Sequence, residues 1–86
     1  MKMEENPYLK SAILEVVDNQ LKANDPPETR KTLMRLIAEG HSEDDARNLI
    51  GCIVASEMFD VLKQQEPFNL ERFVNSLKAL PKIPGD

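Results

Sequence analysis

The chain has 86 residues, of which 41% are hydrophobic and 30% charged, and its net charge at pH 7 is −4. This length predicts one small domain, which buries only about 60% of the surface of its unfolded chain, so association would stabilise it. No apolar run approaches the roughly 20 residues of a membrane span, and the acidic balance disfavours phosphate backbones. We therefore predict that the protein binds neither membranes nor nucleic acid.

The N-terminal residues lack the basic segment and apolar core of a signal peptide, and Cys52 is the single cysteine. Both features favour a reducing cytoplasm as the location. We predict a disordered N-terminus over residues 1–5, one helical domain over 6–81 and a C-terminal tail over 82–86.

Prolines and capping residues predict two helices in the first half of the chain. Asn6 is a suitable N-cap for a helix over Pro7–Ala23, which two later prolines end because each disfavours helix in its predecessor. The second helix spans Pro27–Glu39, with proline tolerated in its first turn and Gly40 as its left-handed cap.

Two further helices follow. Ser42 and Asp45 form a variant of the capping box at the start of a helix over Glu43–Gln65, and Asn69 caps a last helix over Leu70–Leu80. No strand-type alternation is visible. We predict an all-α fold, a compact four-helix bundle with a long central third helix.

Each predicted helix has an apolar stripe at helical spacing. The stripe residues are Leu9, Ile13, Val16 and Val17, then Leu33, Leu36 and Ile37, then Ala46, Leu49, Ile50, Ile53, Val54 and Val61, and finally Leu70, Phe73, Val74 and Leu77. Residues 49–55 are apolar or small on every side, which predicts that the other helices enclose the third.

Two polar residues, Gln20 and Glu57, fall within the stripes of the first and third helices. A buried carboxylate has a raised pKa and destabilises the fold unless it is hydrogen-bonded, so we predict that Gln20 is its partner in a buried polar pair that fixes helix register. The alternative is a polar centre that binds a ligand. No cleft with a second titratable group is identifiable, so we do not predict an enzyme.

The third helix carries a second apolar face, away from Glu57. Its residues are Cys52, Ala55, Met58, Phe59 and Leu62. Either the second or fourth helix covers this face, or a partner does, which is another protein or a second copy of the chain. The second interpretation gives the predicted function, a non-enzymatic interaction or assembly module in which Phe59 is the main anchor.

His41 and Cys52 are the residues with the most metal-binding potential. His41 lies between a cap glycine and an N-cap serine, which predicts a solvated connector, and Cys52 has apolar neighbours, which predicts a small buried hydrophobe. A zinc site needs more nitrogen or sulfur ligands than these two. We predict no bound metal and no other cofactor.

Residues 33–46 resemble the first helix, glycine-containing loop and second helix of ubiquitin-associated-type domains. This resemblance implies a helix pair joined by a short loop. The chain departs from the family pattern because its third helix continues far past the short second helix of that fold.

A broader pattern resembles an uncharacterised family of small bacterial helical domains. Its positions are Asn6-Pro7, Val17, Gln20, Asp25-Pro26-Pro27-Glu28, Leu33, Leu36, Gly40, Ala46, Ile50-Gly51 and Pro67-Phe68. Relatives with this pattern carry paired histidines on the first and third helices, where this chain has Lys10, Leu14, Asp44 and Asn48. The resemblance implies the fold and a bacterial origin. It also suggests the alternative function, a degenerate metal- or small-ligand-binding domain centred on Gln20 and Glu57.

Overall fold

A computed structural model of the protein describes residues 7–84. Its four helices are α1, Pro7–Ala23; α2, Pro27–Ala38; α3, Glu43–Gln64; and α4, Leu70–Ala79. The described residues include no strand, so the predicted all-α four-helix bundle is confirmed, with each helix end within one residue of its predicted position. The predicted disordered N-terminus lies outside the described residues, as does the end of the predicted tail. None of the four helices combines the length and hydrophobicity that crossing a membrane requires.

The helix ends follow the capping chemistry of the sequence. Ser42 Oγ accepts a hydrogen bond from the backbone N–H of Asp45 at 3.0 Å, and Asn69 Oδ1 accepts one from the N–H of Arg72 at 2.9 Å. Gly40 has φ of +107°, in the left-handed region that glycine favours. These contacts fix where α2 ends and where α3 and α4 begin.

α3 is the longest helix, and each of the other three helices packs against it, as α1, α3 and α4 also do against α2. The buried core consists of Ile13, Val17, Leu33, Leu36, Ala46, Ile50, Ile53, Val54, Phe73, Leu77 and Leu80. α1 lies close to α3 at Gly51, where a Cβ atom would lie 3.4 Å from Ile13 Cγ2. The prediction that the other helices enclose residues 49–55 on every side holds only in part, because Leu49, Cys52 and Ala55 are half-buried.

Every arginine of the chain joins two helices. Arg30 donates to the Leu21 carbonyl at 2.6 Å, Arg35 to the Leu77 carbonyl at 3.1 Å, Arg47 to the Asp18 carboxylate at 2.8 and 3.0 Å, and Arg72 to the Glu57 carboxylate at 2.8 and 2.9 Å. A guanidinium group suits this role because its donors form a rigid planar fork. The arginines thus hold the bundle together at its corners.

One pair of helices does not pack together. Among the described residues, α1 and α4 lie against α3 without contacting each other directly, whereas every other pair of helices is in contact. Part of the predicted α1 stripe, Leu9 and Val16, is correspondingly exposed. The space between α1 and α4 is a groove over the C-terminal half of α3.

Candidate functional site

The groove between α1 and α4 has a volume of about 440 Å³. It is lined by Val16 and Gln20 of α1, by Val54, Glu57, Met58, Val61 and Leu62 of α3, by Phe68 of the α3–α4 link, and by Phe73 of α4. All of these side chains are apolar except Gln20 and Glu57. The structure thus brings the two polar residues of the predicted site together in one groove.

Glu57 is 5% exposed, and both of its carboxylate oxygens are hydrogen-bonded within the α3–α4 corner. Arg72 donates through Nε to Oε2 at 2.9 Å and through a terminal nitrogen to Oε1 at 2.8 Å. The backbone N–H of Asn69 donates to Oε1 at 3.0 Å. The carboxylate is therefore fully paired by α4 and by the cap residue that precedes it.

The predicted hydrogen bond between Gln20 and Glu57 is wrong. Gln20 Oε1 instead accepts a hydrogen bond from the hydroxyl of Thr29 at 3.0 Å, and Thr29 is completely buried at the start of α2. No hydrogen bond joins Gln20 to Glu57 in the described part of the chain. Gln20 fixes the α1–α2 corner, and Glu57 fixes the α3–α4 corner.

The pKa of Glu57 is lowered, whereas burial without partners would raise it. The side-chain hydrogen bonds from Arg72 lower the pKa of Glu57, and the backbone hydrogen bond from Asn69 lowers it further. Burial acts in the opposite direction but is outweighed. Glu57 is accordingly ionised at neutral pH, which makes it a poor general acid.

Arg72 is the residue that the sequence reasoning missed. Its guanidinium group also lies 3.9 Å from carboxylate oxygens of Asp60 and Glu66, which together with Glu57 raise its pKa. The sequence contained a signal for this arrangement: a cation in the first turn of α4, beside the positive end of the helix dipole, is unfavourable without a nearby anion.

The second apolar face of α3 divides into two parts. Cys52 and Ala55 are half-buried, whereas Met58, Phe59 and Leu62 are 46%, 65% and 78% exposed. Neither α2 nor α4 covers these last three residues, so the interpretation that places the whole face inside the bundle is wrong for them. Met58 and Leu62 also line the groove.

The exposed end of this face is continuous with the groove. We call the combined surface the exposed patch, and it consists of Val16, Met58, Phe59, Leu62 and Phe68. The Phe68 ring packs on the buried Phe73 ring with a centroid distance of 5.5 Å and remains half exposed. A single isolated apolar side chain on a surface is ordinary, whereas a group of them next to a groove is a candidate interaction site.

His41 and Cys52 both line a second cavity of about 310 Å³ with Asp45, and His41, predicted as a solvated connector, is half-buried. Burial raises the pKa of the Cys52 thiol, so it is a weak nucleophile at neutral pH. Within residues 7–84, no three His, Cys, Asp or Glu side chains are grouped to hold a metal ion. The absence of a bound metal stays a prediction.

Comparisons of the chain with known protein families, with curated proteins and with solved structures found no match. The two family resemblances in the sequence therefore stay predictions. What the protein does has to be inferred from the groove, the exposed patch and the corner that Glu57 and Arg72 close.

Proposed function

We propose that this protein is a non-enzymatic interaction module that binds another polypeptide through the exposed patch. The observation that carries the proposal is the exposure of Met58, Phe59 and Leu62 on one end of the central helix, beside an apolar groove. Aromatic and methionine side chains are enriched at protein interfaces, where a central aromatic residue often dominates the binding energy.

The charges of the groove support a polypeptide over a phosphate-containing partner. Glu57 is the single ionisable residue that lines the groove, and Arg72 neutralises it. All four arginines donate hydrogen bonds between helices, and no arginine or lysine lines the groove, so the groove offers no cation to a phosphate group. A single cysteine with a protonated thiol is consistent with our proposal of a cytoplasmic location.

The test is affinity purification with the parent protein and two matched variants as baits. Met58→Lys places a charge in the exposed patch, and Met34→Lys places the same charge on α2, where Met34 is 60% exposed outside the groove. We expect the parent and Met34→Lys to retain the same specific protein and Met58→Lys to lose it. Equal retention by all three baits would contradict a role for the patch.

A second candidate function is the binding of a small apolar molecule in the groove. It is favoured by one observation, namely that Gln20 and Glu57 line the same cavity of about 440 Å³. Small-molecule sites typically have volumes of about 300–1,000 Å³, apolar walls and a few polar groups. A thermal-shift screen with metabolites tests it. A true ligand would raise the melting temperature of the parent and of Met34→Trp, but not that of Val16→Trp, in which the groove is filled.

A further inference from the structure

We infer that the partner of the exposed patch is a second copy of this chain, and that Phe59 of each copy enters the groove of the other. The inference rests on the proposed function, since it names the polypeptide that the patch binds. Three features of the patch favour a second copy: its area, its shape and its lack of charge.

The area of the patch fits a dimer interface of standard size. Its five side chains are 37–78% exposed. Taking about 150–200 Å² for a fully exposed large apolar side chain, the patch presents about 400–550 Å² of apolar surface. A stable interface buries about 800 Å² of each partner, of which about 65% is non-polar in homodimers, or about 520 Å².

The shape of the patch is self-complementary. Phe59 is 65% exposed and does not line the groove, but it lies on the helix surface next to Leu62, three residues later, which does. The patch thus contains a projecting aromatic ring and a concave apolar site side by side. A two-fold axis through such a surface places each ring in the partner's groove, so that both halves of the interface are used at once.

The electrostatics of the patch permit two like-charged chains to meet. Each chain carries a net charge of −4, which opposes self-association in general. None of the five patch residues is charged, and the one carboxylate in the groove, that of Glu57, is paired with Arg72. Two patches therefore approach without bringing unpaired like charges together.

The exchange of Phe59 between two copies can be tested with a pair of complementary variants. Phe59→Glu removes the ring but leaves the groove intact, whereas Val16→Lys alters the groove but leaves the ring intact. Each variant alone lacks both contacts of the two-fold interface. A mixture of the two variants regains one native contact, and its other contact places the new glutamate against the new lysine. An equimolar mixture should therefore associate although neither variant does.

The experiment is sedimentation equilibrium from low micromolar to several hundred micromolar protein, with circular dichroism to verify that each variant is folded. We expect the parent to reach twice its monomer mass of 9.8 kDa. Phe59→Glu and Val16→Lys should each weaken dimerisation at least about 30-fold, and the mixture should restore most of it. Met34→Lys, with its charge on α2, should dimerise like the parent.

Two results would overturn the inference. A dimeric parent whose variants fail to complement each other would exclude the exchange of Phe59 between copies. A parent that stays monomeric at several hundred micromolar would exclude the dimer altogether. In that second case the proposed function survives if Met58→Lys, and not Met34→Lys, abolishes capture of another protein, and it fails with the inference if both variants capture equally.

Discussion

The two ends of α3 have similar apolar content and opposite surroundings. Between Ala46 and Val54 one side of the helix faces the core, where Ile50 and Ile53 are almost completely buried. Beyond Glu57, Phe59 and Leu62 are mostly exposed. The difference arises because the groove between α1 and α4 leaves Met58 and Leu62 of α3 uncovered, although all three other helices pack on α3.

Glu57 marks the boundary between these two regions. Its hydrogen bonds to Arg72 and to the N–H of Asn69 turn the chain back at the α3–α4 corner. The corner holds α4 beside the buried part and leaves the last turns of α3 uncovered. A polar group that is fully paired in this way fixes the position of α4 beside the exposed patch.

The largest effect at this boundary is expected from Glu57→Leu. The substitution leaves the Asn69 N–H and the Arg72 guanidinium group without their acceptor, so we expect a loss of about 1–3 kcal/mol in the free energy of unfolding. Urea denaturation measures it. No loss would mean that the corner does not depend on the carboxylate.

A double-mutant cycle identifies the partner of Glu57. Glu57→Leu combined with Arg72→Leu should cost less than the sum of the single changes, because the two groups contact each other directly. Glu57→Leu combined with Gln20→Leu should be additive to within about 0.5 kcal/mol. Strong coupling in the second cycle would support the pair of Gln20 and Glu57 that the sequence predicts.

The pH dependence of stability should reveal the same corner. The folded pKa of Glu57 is lower than that of a glutamate in the unfolded chain, about 4.3. Its contribution to stability is thus fully present above about pH 4.3 and is lost as the pH falls through the folded pKa. We expect urea midpoints to fall more steeply for the parent than for Glu57→Gln over that range. Parallel profiles would show that the pKa of Glu57 is not lowered.

A smaller effect is expected at the other corner, where Thr29 donates to Gln20. Gln20→Leu leaves a buried hydroxyl without its acceptor and should cost about 1 kcal/mol. In the double variant with Thr29→Val the cost should largely disappear, since both polar partners are then removed. A cost that persists in the double variant would show that Gln20 stabilises the fold in another way.

The sequence sufficed for the helices because their signals are local. Pro27, Ser42 and Asn69 determine backbone conformation within a few residues, so they locate helix ends regardless of what packs nearby. The apolar run over residues 49–55 of α3 correctly indicated the buried Ile50, Ile53 and Val54, but Leu49, Cys52 and Ala55 on its other side are only half-buried.

The hydrogen-bond partners of the polar residues could not be predicted from the sequence in the same way. Gln20 and Glu57 both face one groove. The apolar stripe of a helix indicates only the direction in which a side chain points, whereas a hydrogen bond also requires a donor within a short distance of the acceptor. Arg72 becomes the partner of Glu57 through the geometry of the α3–α4 link, which no periodicity encodes. Likewise, the gap between α1 and α4 depends on the angles at which the helices cross α3. The sequence therefore allowed Phe59 to be either buried in the bundle or exposed, and did not distinguish the two.

The contrast between the two ends of α3 is tested most directly by matched truncations on that helix. Ile53 is 1% exposed and Leu62 is 78% exposed, and both can be shortened to alanine. By urea denaturation at low micromolar concentration, we expect Ile53→Ala to lose about 2–5 kcal/mol and Leu62→Ala to change by less than about 0.5 kcal/mol. Similar losses for the two variants would mean that the C-terminal end of α3 is buried in the folded chain, and that it offers no surface to a partner.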